Sequence, residues 1–232
     1  MQAPIRHLAL LPTLALAACA TPSPPSPPPM SFFVTSVGPG RGGDLGGLEG
    51  ADAHCQALAT AAGAGALRWR AYLSQASNLK NLQGEPAVHA RERIGPGPWH
   101  NTRGQLIART VDELHAPGFA GINRQSALSE RGEPIPGRVH DILTGSRPDG
   151  TAPSPLDADM SCRGWRSSAD TAEDGSSQGA LVGHHDRVSA IAEPWAGSWN
   201  SSHRTRGCSP ARLAELGSGG LFYCFAQPRQ PR

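Results

Sequence analysis

The sequence predicts an α+β domain, rich in loops, with one or two helices packed on a mainly antiparallel sheet and two disulfides holding it together. Three observations predict this class. With 28 glycines, 22 prolines and only 5% aromatic residues in 232, the core is small for the chain length and needs covalent support. One long stretch carries a helical period, and short β-branched or aromatic runs separated by turn residues surround it. Five cysteines include one at the end of an amino-terminal apolar run, and setting it aside leaves Cys55, Cys162, Cys208 and Cys224, an even set. Sequence alone leaves three pairings open among these four. No two of them lie within four residues of each other, so the spacing is not that of a zinc finger. The formal charge of +2 and a charged fraction of 17% give no basic stripe, which excludes nucleic acid as an expected partner.

Residues 1–18 read as an export signal. Arg6 and His7 form a short positive end, and the apolar run Leu8 to Ala18 is too short to span a bilayer as a mature helix. The run ends Leu16-Ala17-Ala18-Cys19, which resembles the bacterial lipobox, where the cysteine is lipidated and becomes the first residue after cleavage. Between Thr21 and Pro29 stand six prolines and two serines, a composition that runs extended and cannot enter a helix or sheet core. Residues 19–30 are thus expected to be a lipidated cysteine and a tether, and 31–227 the folded domain. Export also places the four remaining cysteines where disulfides persist.

Within the domain, Ser31 to Ser36 reads as a first strand and the glycine-rich 38–47 as a turn, since no Gly-Lys-Ser/Thr ending follows it. Ala51, Cys55, Leu58, Ala59 and Ala62 share one helix face, and Gly63 and Gly65 stop that helix. Leu67 to Leu73 alternates as a half-buried strand, with Leu67, Trp69, Ala71 and Leu73 on the core side. The run 94–99 has turn chemistry, 104–108 gives at most a short strand, 111–114 one helical turn, and 116–136 a polar surface loop. His140 to Leu143 returns to strand character. Gly220 to Ala226, apolar and aromatic around Cys224, is expected to lie centrally in the sheet.

An early helix with one cysteine, a late strand with the last, and two more flanking a long polar segment resemble the C-type-lectin-like fold. Arg70-Ala71-Tyr72-Leu73-Ser74, Gly145-Ser146 followed by Pro148 and Gly150, and Cys162 with Trp165 three residues on are similar to its endostatin branch. Gly50-Ala51-Asp52-Ala53-His54-Cys55, the run His140 to Ser146 and the final Cys224 strand resemble a family of exported bacterial lectin-like domains. The resemblance spans about residues 31–226. It implies the pairs Cys55–Cys224 and Cys162–Cys208. Endostatin's zinc ligands lie near its amino terminus and have no matching positions here.

Calcium-binding members of the fold use a Glu-Pro-Asn or Gln-Pro-Asp triplet and a later Trp-Asn-Asp; this chain offers Glu193-Pro194-Trp195 and Trp199-Asn200-Ser201, each one ligand short. Calcium takes six to eight oxygens, so no calcium site is expected. His184, His185, Asp186 and His203 fall between Cys162 and Cys208, with His140 and Asp141 just before, a residue set that suits zinc. Adjacent histidines in a strand point to opposite faces, so His184 and His185 do not share an ion, and the expectation is no metal and no cofactor. As an enzyme, the chain offers His185 and Asp186 beside Ser201 or Ser202 without a Gly-x-Ser-x-Gly turn, or a metal-dependent use of His184, His185, Asp186 and His203. Related folds do catalyse, as in formylglycine-generating enzymes, but their catalytic cysteine pair has no counterpart here. A purely structural envelope lipoprotein is the third reading, with Trp165 and Trp199 as core.

The favoured reading is a non-catalytic, lipid-anchored binding module that recognises a glycan or an envelope protein. Its expected binding face is the segment 183–203, held by a staple: His140, Asp141, His184, His185, an Asp186–Arg187 pair, Trp199, Asn200 and His203. Ala20 after the anchor, with no aspartate, resembles sorting to a bacterial outer membrane. Attachment through several acyl chains is stable, so the wild-type protein should sediment with membranes and Cys19→Ser should release it. A variant that still sediments overturns the anchor.

Overall fold

The computed structural model describes residues 26–77, 86–193 and 195–227; the expected export signal and the expected lipidation site, Cys19, lie outside them. Among the described residues the domain is α+β, with a six-stranded, mainly antiparallel sheet and a separate two-stranded ribbon. Its axis is the last strand, β8, at Ser218–Gln227, apolar and buried along most of its length. On one edge β8 pairs with β1 (Phe32–Val34), placing Phe33 opposite Cys224. Its other edge is divided: β2 (Arg68–Ala71) runs antiparallel beside residues 224–227, and β5 (Asp141–Leu143) runs parallel beside 218–222. The sheet then continues antiparallel through β6 (Leu181–His184) to β7 (His203–Arg204). The ribbon is β3 (Trp99–His100) with β4 (Leu106–Ala108).

Alternation along β8 divides the interior. Phe222, Cys224 and Ala226 enter one core with Phe33, Trp69, Ala71 and Leu143, while Leu221, Tyr223 and Phe225 enter another with Phe32, Val34, Tyr72 and Ile142. The first core is covered by helix α1 (Gly47–Ala61), whose Ala51, Cys55 and Ala59 are fully buried at i, i+4 and i+8. These small side chains let the helix approach the tilted Phe33–Trp69 pair, whose ring centroids are 4.8 Å apart. Gly63, at φ +80°, turns the chain out of the helix. Asp52, buried on the same helix, accepts from the Ala71 N–H at 2.9 Å, from Arg93 Nη2 at 2.6 Å and from Arg70 Nη1, so its charge is compensated where it is desolvated.

The second core requires two corrections. β2 itself alternates as expected, with Trp69 and Ala71 buried and Arg68 exposed, but Tyr72, placed with the two arginines on the outer side, is fully enclosed. Its cover comes partly from 116–136, expected as surface loop, which inserts Ile122, Ala127 and Ile135. The expected one or two helices become five helical segments: α1, α2 (Ala90–Arg93), α3 (Val111–Leu114), α4 (Cys162–Trp165) and α5 (Pro210–Ala214). Segments of one turn show no periodicity, and what marks two of them is their caps. Thr110 Oγ1 accepts from Glu113 N, and Ser209 Oγ accepts from Arg212 N ahead of a proline at the first position. Segment α4 is a left-handed turn, with Cys162, Arg163 and Trp165 at φ 48°, 54° and 67°. Such residues cost about 1–2 kcal/mol each. What holds them is burial of Trp165, whose Nε1 donates to Ser74 O at 3.0 Å, and the bond from Cys162.

The disulfides are Cys55–Cys224 and Cys162–Cys208, as the resemblance implied. The first joins α1 to β8 and the second joins α4 to the turn before α5. Closing sequence separations of 169 and 46 removes roughly 5 and 4 kcal/mol of denatured-state entropy in the chain-entropy model.

Gly183 is where β6 meets the returning chain most closely. A Cβ there would overlap the carbonyl oxygen and carbon of Trp199, backbone atoms that cannot rotate away. Gly183→Ala is therefore expected to cost upwards of about 1–3 kcal/mol, read calorimetrically as a fall of several degrees in Tm. An unchanged Tm would show that this approach is not part of the folded state.

Candidate functional site

The ends of three strands bring the histidines together. Register pairs Asp141 with His184 and Val182 with His203, so Asp141, His184 and His203 share one face of the sheet. His140 arrives from the 3-10 turn Gly137–Val139 and stacks on His184 with centroids 4.4 Å apart and planes 12° from parallel. The result is a convergence on one atom. Asp141 Oδ1 is met by His184 Nε2 at 3.2 Å, His140 Nε2 at 3.4 Å and His203 Nε2 at 3.5 Å. Asp141 is fully buried, yet neither of its oxygens has a hydrogen bond of acceptable geometry, and His184 Nε2 has none either.

The far side of each ring is occupied. His184 Nδ1 lies 3.4 Å from Ser202 Oγ, and that hydroxyl gives its single proton to Ala196 O at 2.5 Å. His203 Nδ1 faces Arg204 O at 3.4 Å, and His140 Nδ1 faces Asp186 Oδ1 at 3.5 Å. Asp186 is fixed in turn by the Val188 N–H at 3.0 Å and Arg124 Nη2 at 3.3 Å. A carbonyl or carboxylate can only accept, so the hydrogen of each neutral ring belongs on Nδ1. Each Nε2 then turns a lone pair toward the carboxylate. Burial pushes the Asp141 carboxyl up, but the nearness of His184 and His203 more than offsets this and holds it below the usual carboxylate range, as positive charge on or between those rings would. Asp141 raises His203 by the same interaction. His140, Asp141 and His184 each present a donor atom within 4.8 Å of the others, a group with the dimensions to hold a metal ion.

Other residues expected in the site are placed differently. His185 follows the end of β6 and is not among the rings that meet Asp141; neither of its ring nitrogens has a hydrogen bond, and burial pushes its pKa down to about 4. Asp186 and Arg187 do not pair: Arg187 Nη1 donates to Phe119 O at 2.6 Å, and Asp186 turns to Arg124 and His140. Arg187 stands at φ 59°, which directs its side chain off the line of β6. Trp199 is packed among Tyr72, His115, Phe119 and Tyr223. Asn200 Nδ2 donates to Tyr72 Oη at 2.9 Å and to the carbonyls of Arg147 and Pro148 at 3.1 and 3.2 Å. Tyr72 Oη donates onward to His115 Nε2 at 2.7 Å, and His115 Nδ1 donates to Val111 O at 2.7 Å. Both residues therefore serve the framework.

The catalytic arrangement the cluster most nearly makes is Ser202–His184–Asp141, not Ser201 or Ser202 with His185. Ser202 is 7% exposed and its proton is committed to Ala196 O, so the hydroxyl is neither accessible nor activated. A groove of about 750 Å³ lies against Pro29, Met30 and the end of α1, and none of the histidines lines it. Sequence reasoning passes over the surface of the β6–β7 connection, where Val188, Ile191 and Trp195 are 48%, 54% and 51% exposed. In the sequence Trp195 stands out only as the wrong third residue of a calcium triplet; the signal that could have found it is an apolar set in a polar loop. No family model and no curated protein matches the chain.

Asn200→Ala would leave Tyr72 Oη and two carbonyls without their donor. The expected loss is about 1–3 kcal/mol of stability by urea unfolding. A variant as stable as the wild type would separate Asn200 from the framework.

Proposed function

We propose that the protein is a lipid-anchored, C-type-lectin-like binding module of the bacterial envelope, which engages an envelope glycan without catalysing a reaction and uses the β6–β7 connection as its binding face. The observation that carries this reading is the exposure of Val188, Ile191 and Trp195 within eight residues of one loop. Five large apolar side chains are exposed among the described residues, and three of them are on this one loop. Its base is rigid: Asp186 is tied to Arg124, Arg187 to Phe119 O, Ser198 Oγ to Asn200 Oδ1 at 3.1 Å, and Ser202 to Ala196 O. A loop held at both ends loses little entropy on binding. An indole face with hydroxyl and carboxylate neighbours such as Ser189 and Glu193 suits a sugar ring, which stacks its apolar face and hydrogen-bonds at its rim.

The fold assignment is supported by the helix-to-last-strand disulfide, the inner disulfide around the loop region, and the order of helix and strands. Val188 and Ile191, exposed on the same loop, add apolar surface to that of the indole, and this favours an envelope protein as the second reading. Glycan arrays run with and without chelator test the proposal, with Trp195→Ala as the variant. The change should weaken binding about tenfold or more, as loss of an aromatic anchor does, while moving stability by no more than about 0.5 kcal/mol. Glycan binding that survives in folded Trp195→Ala would place the face elsewhere, and no glycan binding by the wild type would favour the protein partner.

A further inference from the structure

We infer that His140, His184 and Asp141 form a binding site for one divalent transition-metal ion of the zinc class, ligated by Nε2 of the two imidazoles and by Oδ1 of Asp141, with the half-exposed His203 turning its Nε2 in to complete the shell as fourth ligand. Distances point to it first. Donors about 2.0–2.1 Å from a tetrahedral ion stand roughly 3.3–3.4 Å from one another; the three nitrogens lie 3.2, 3.4 and 3.5 Å from the carboxylate oxygen, and the donor atoms of His140, His184 and Asp141 all lie within 4.8 Å of one another.

Proton placement points the same way. Acceptors at all three Nδ1 atoms leave lone pairs on all three Nε2 atoms, each facing an oxygen that also has only lone pairs. Such an array is repulsive unless a cation lies within it. Asp141 and His184, 0% and 4% exposed, have no other partner for these atoms. Uncompensated, a buried carboxylate of this kind is costly.

The surroundings match what metal ligands need. Ligating histidines donate their other nitrogen to a carboxylate, carbonyl or similar acceptor, which fixes the ring. Here Asp186, Ser202 and Arg204 O fill those places, and Arg124 backs Asp186. The side chains of His140 and His203 are 25% and 32% exposed, so the ion has an entry path on their side. Imidazole nitrogen with one carboxylate selects a borderline ion such as Zn²⁺ over Ca²⁺ or Mg²⁺. Strand alternation keeps His185 from sharing an ion with His184, as expected from the sequence, but leaves His140, His184 and His203 free to share one. Four protein ligands make a closed, structural centre, which would tie β5, β6 and β7 together at the edge where no disulfide reaches.

The test uses the purified full-length protein, stripped with chelator and titrated with Zn²⁺ alone by calorimetry, with X-ray absorption at the zinc edge. One Zn²⁺ per chain is expected, in a first shell of three nitrogens and one oxygen. His140→Gln and His203→Gln, at the half-exposed rim where folding is little disturbed, should each weaken binding at least about tenfold, as should Asp186→Asn through the orientation of His140. His54→Gln, outside the cluster, should bind as the wild type does. Absence of stoichiometric zinc on folded wild-type protein would overturn the site and leave protonated imidazoles as the compensating charge. So would a sulfur-containing or nitrogen-poor shell, or affinity unchanged in both folded rim variants. None of these readouts depends on a glycan, so the site and the binding face stand or fall separately.

Discussion

The structure depends on one strand that is enclosed on both faces and paired on both edges. β8 must satisfy backbone partners from β1 on one side and from β2 and β5 on the other, while its alternate side chains fill two cores. A one-residue slip would exchange Cys224 for Tyr223 or Phe225 and so break the bond to Cys55 and both cores together. Register is therefore fixed by covalent and packing constraints at the same residue. Everything downstream inherits it, because β5 takes its position from β8, β6 from β5, and β7 from β6.

A glycine- and proline-rich chain folded around such a strand encloses many polar groups, and most of them are matched in chains of donors and acceptors. Val111 O, His115, Tyr72 and Asn200 form one such chain, in which each group has one arrangement of hydrogens. Asp52 with Arg70, Arg93 and the Ala71 N–H is another. Satisfied networks of this type are rigid, since no member can turn without orphaning its neighbour. Against that background Asp141 stands out among the few buried groups left unmatched, because both of its oxygens lack a partner and three imidazoles converge on one of them.

How much of this was legible follows from what each feature depends on. The helix face of Ala51, Cys55 and Ala59, the turn of residues 111–114 and the central last strand are local patterns, and all are found where the sequence puts them. The second core was not legible, because Ile122, Ala127 and Ile135 sit in an irregular segment with neither period, and their burial is decided by the sheet they land on. The cluster was half legible. Nearness in sequence grouped His184, His185 and Asp186, but a strand sends neighbours to opposite faces, so His185 leaves the group. His140 enters it through a turn whose geometry no motif announces. Trp199 and Asn200 looked like ligand-facing residues because a tryptophan and an amide on a loop resemble a site; tertiary packing used them as interior joints.

The cluster and the exposed loop are also one mechanical unit. Ser202, which receives the His184 hydrogen, passes its own to Ala196 O, one residue from Trp195. Asp186, which faces His140, accepts the Val188 N–H, and the His184 backbone N–H donates to Ser198 O at 2.8 Å. Thus the groups that orient the imidazoles are the same groups that fix both ends of the segment bearing Val188, Ile191 and Trp195. Whatever charge compensates Asp141, proton or metal, sets the ring positions, and the rings set the loop's anchoring points. A binding face on this loop would then be preorganised from beneath, by electrostatics at the strand ends, as well as from the side by the Cys162–Cys208 bond that closes the segment containing it.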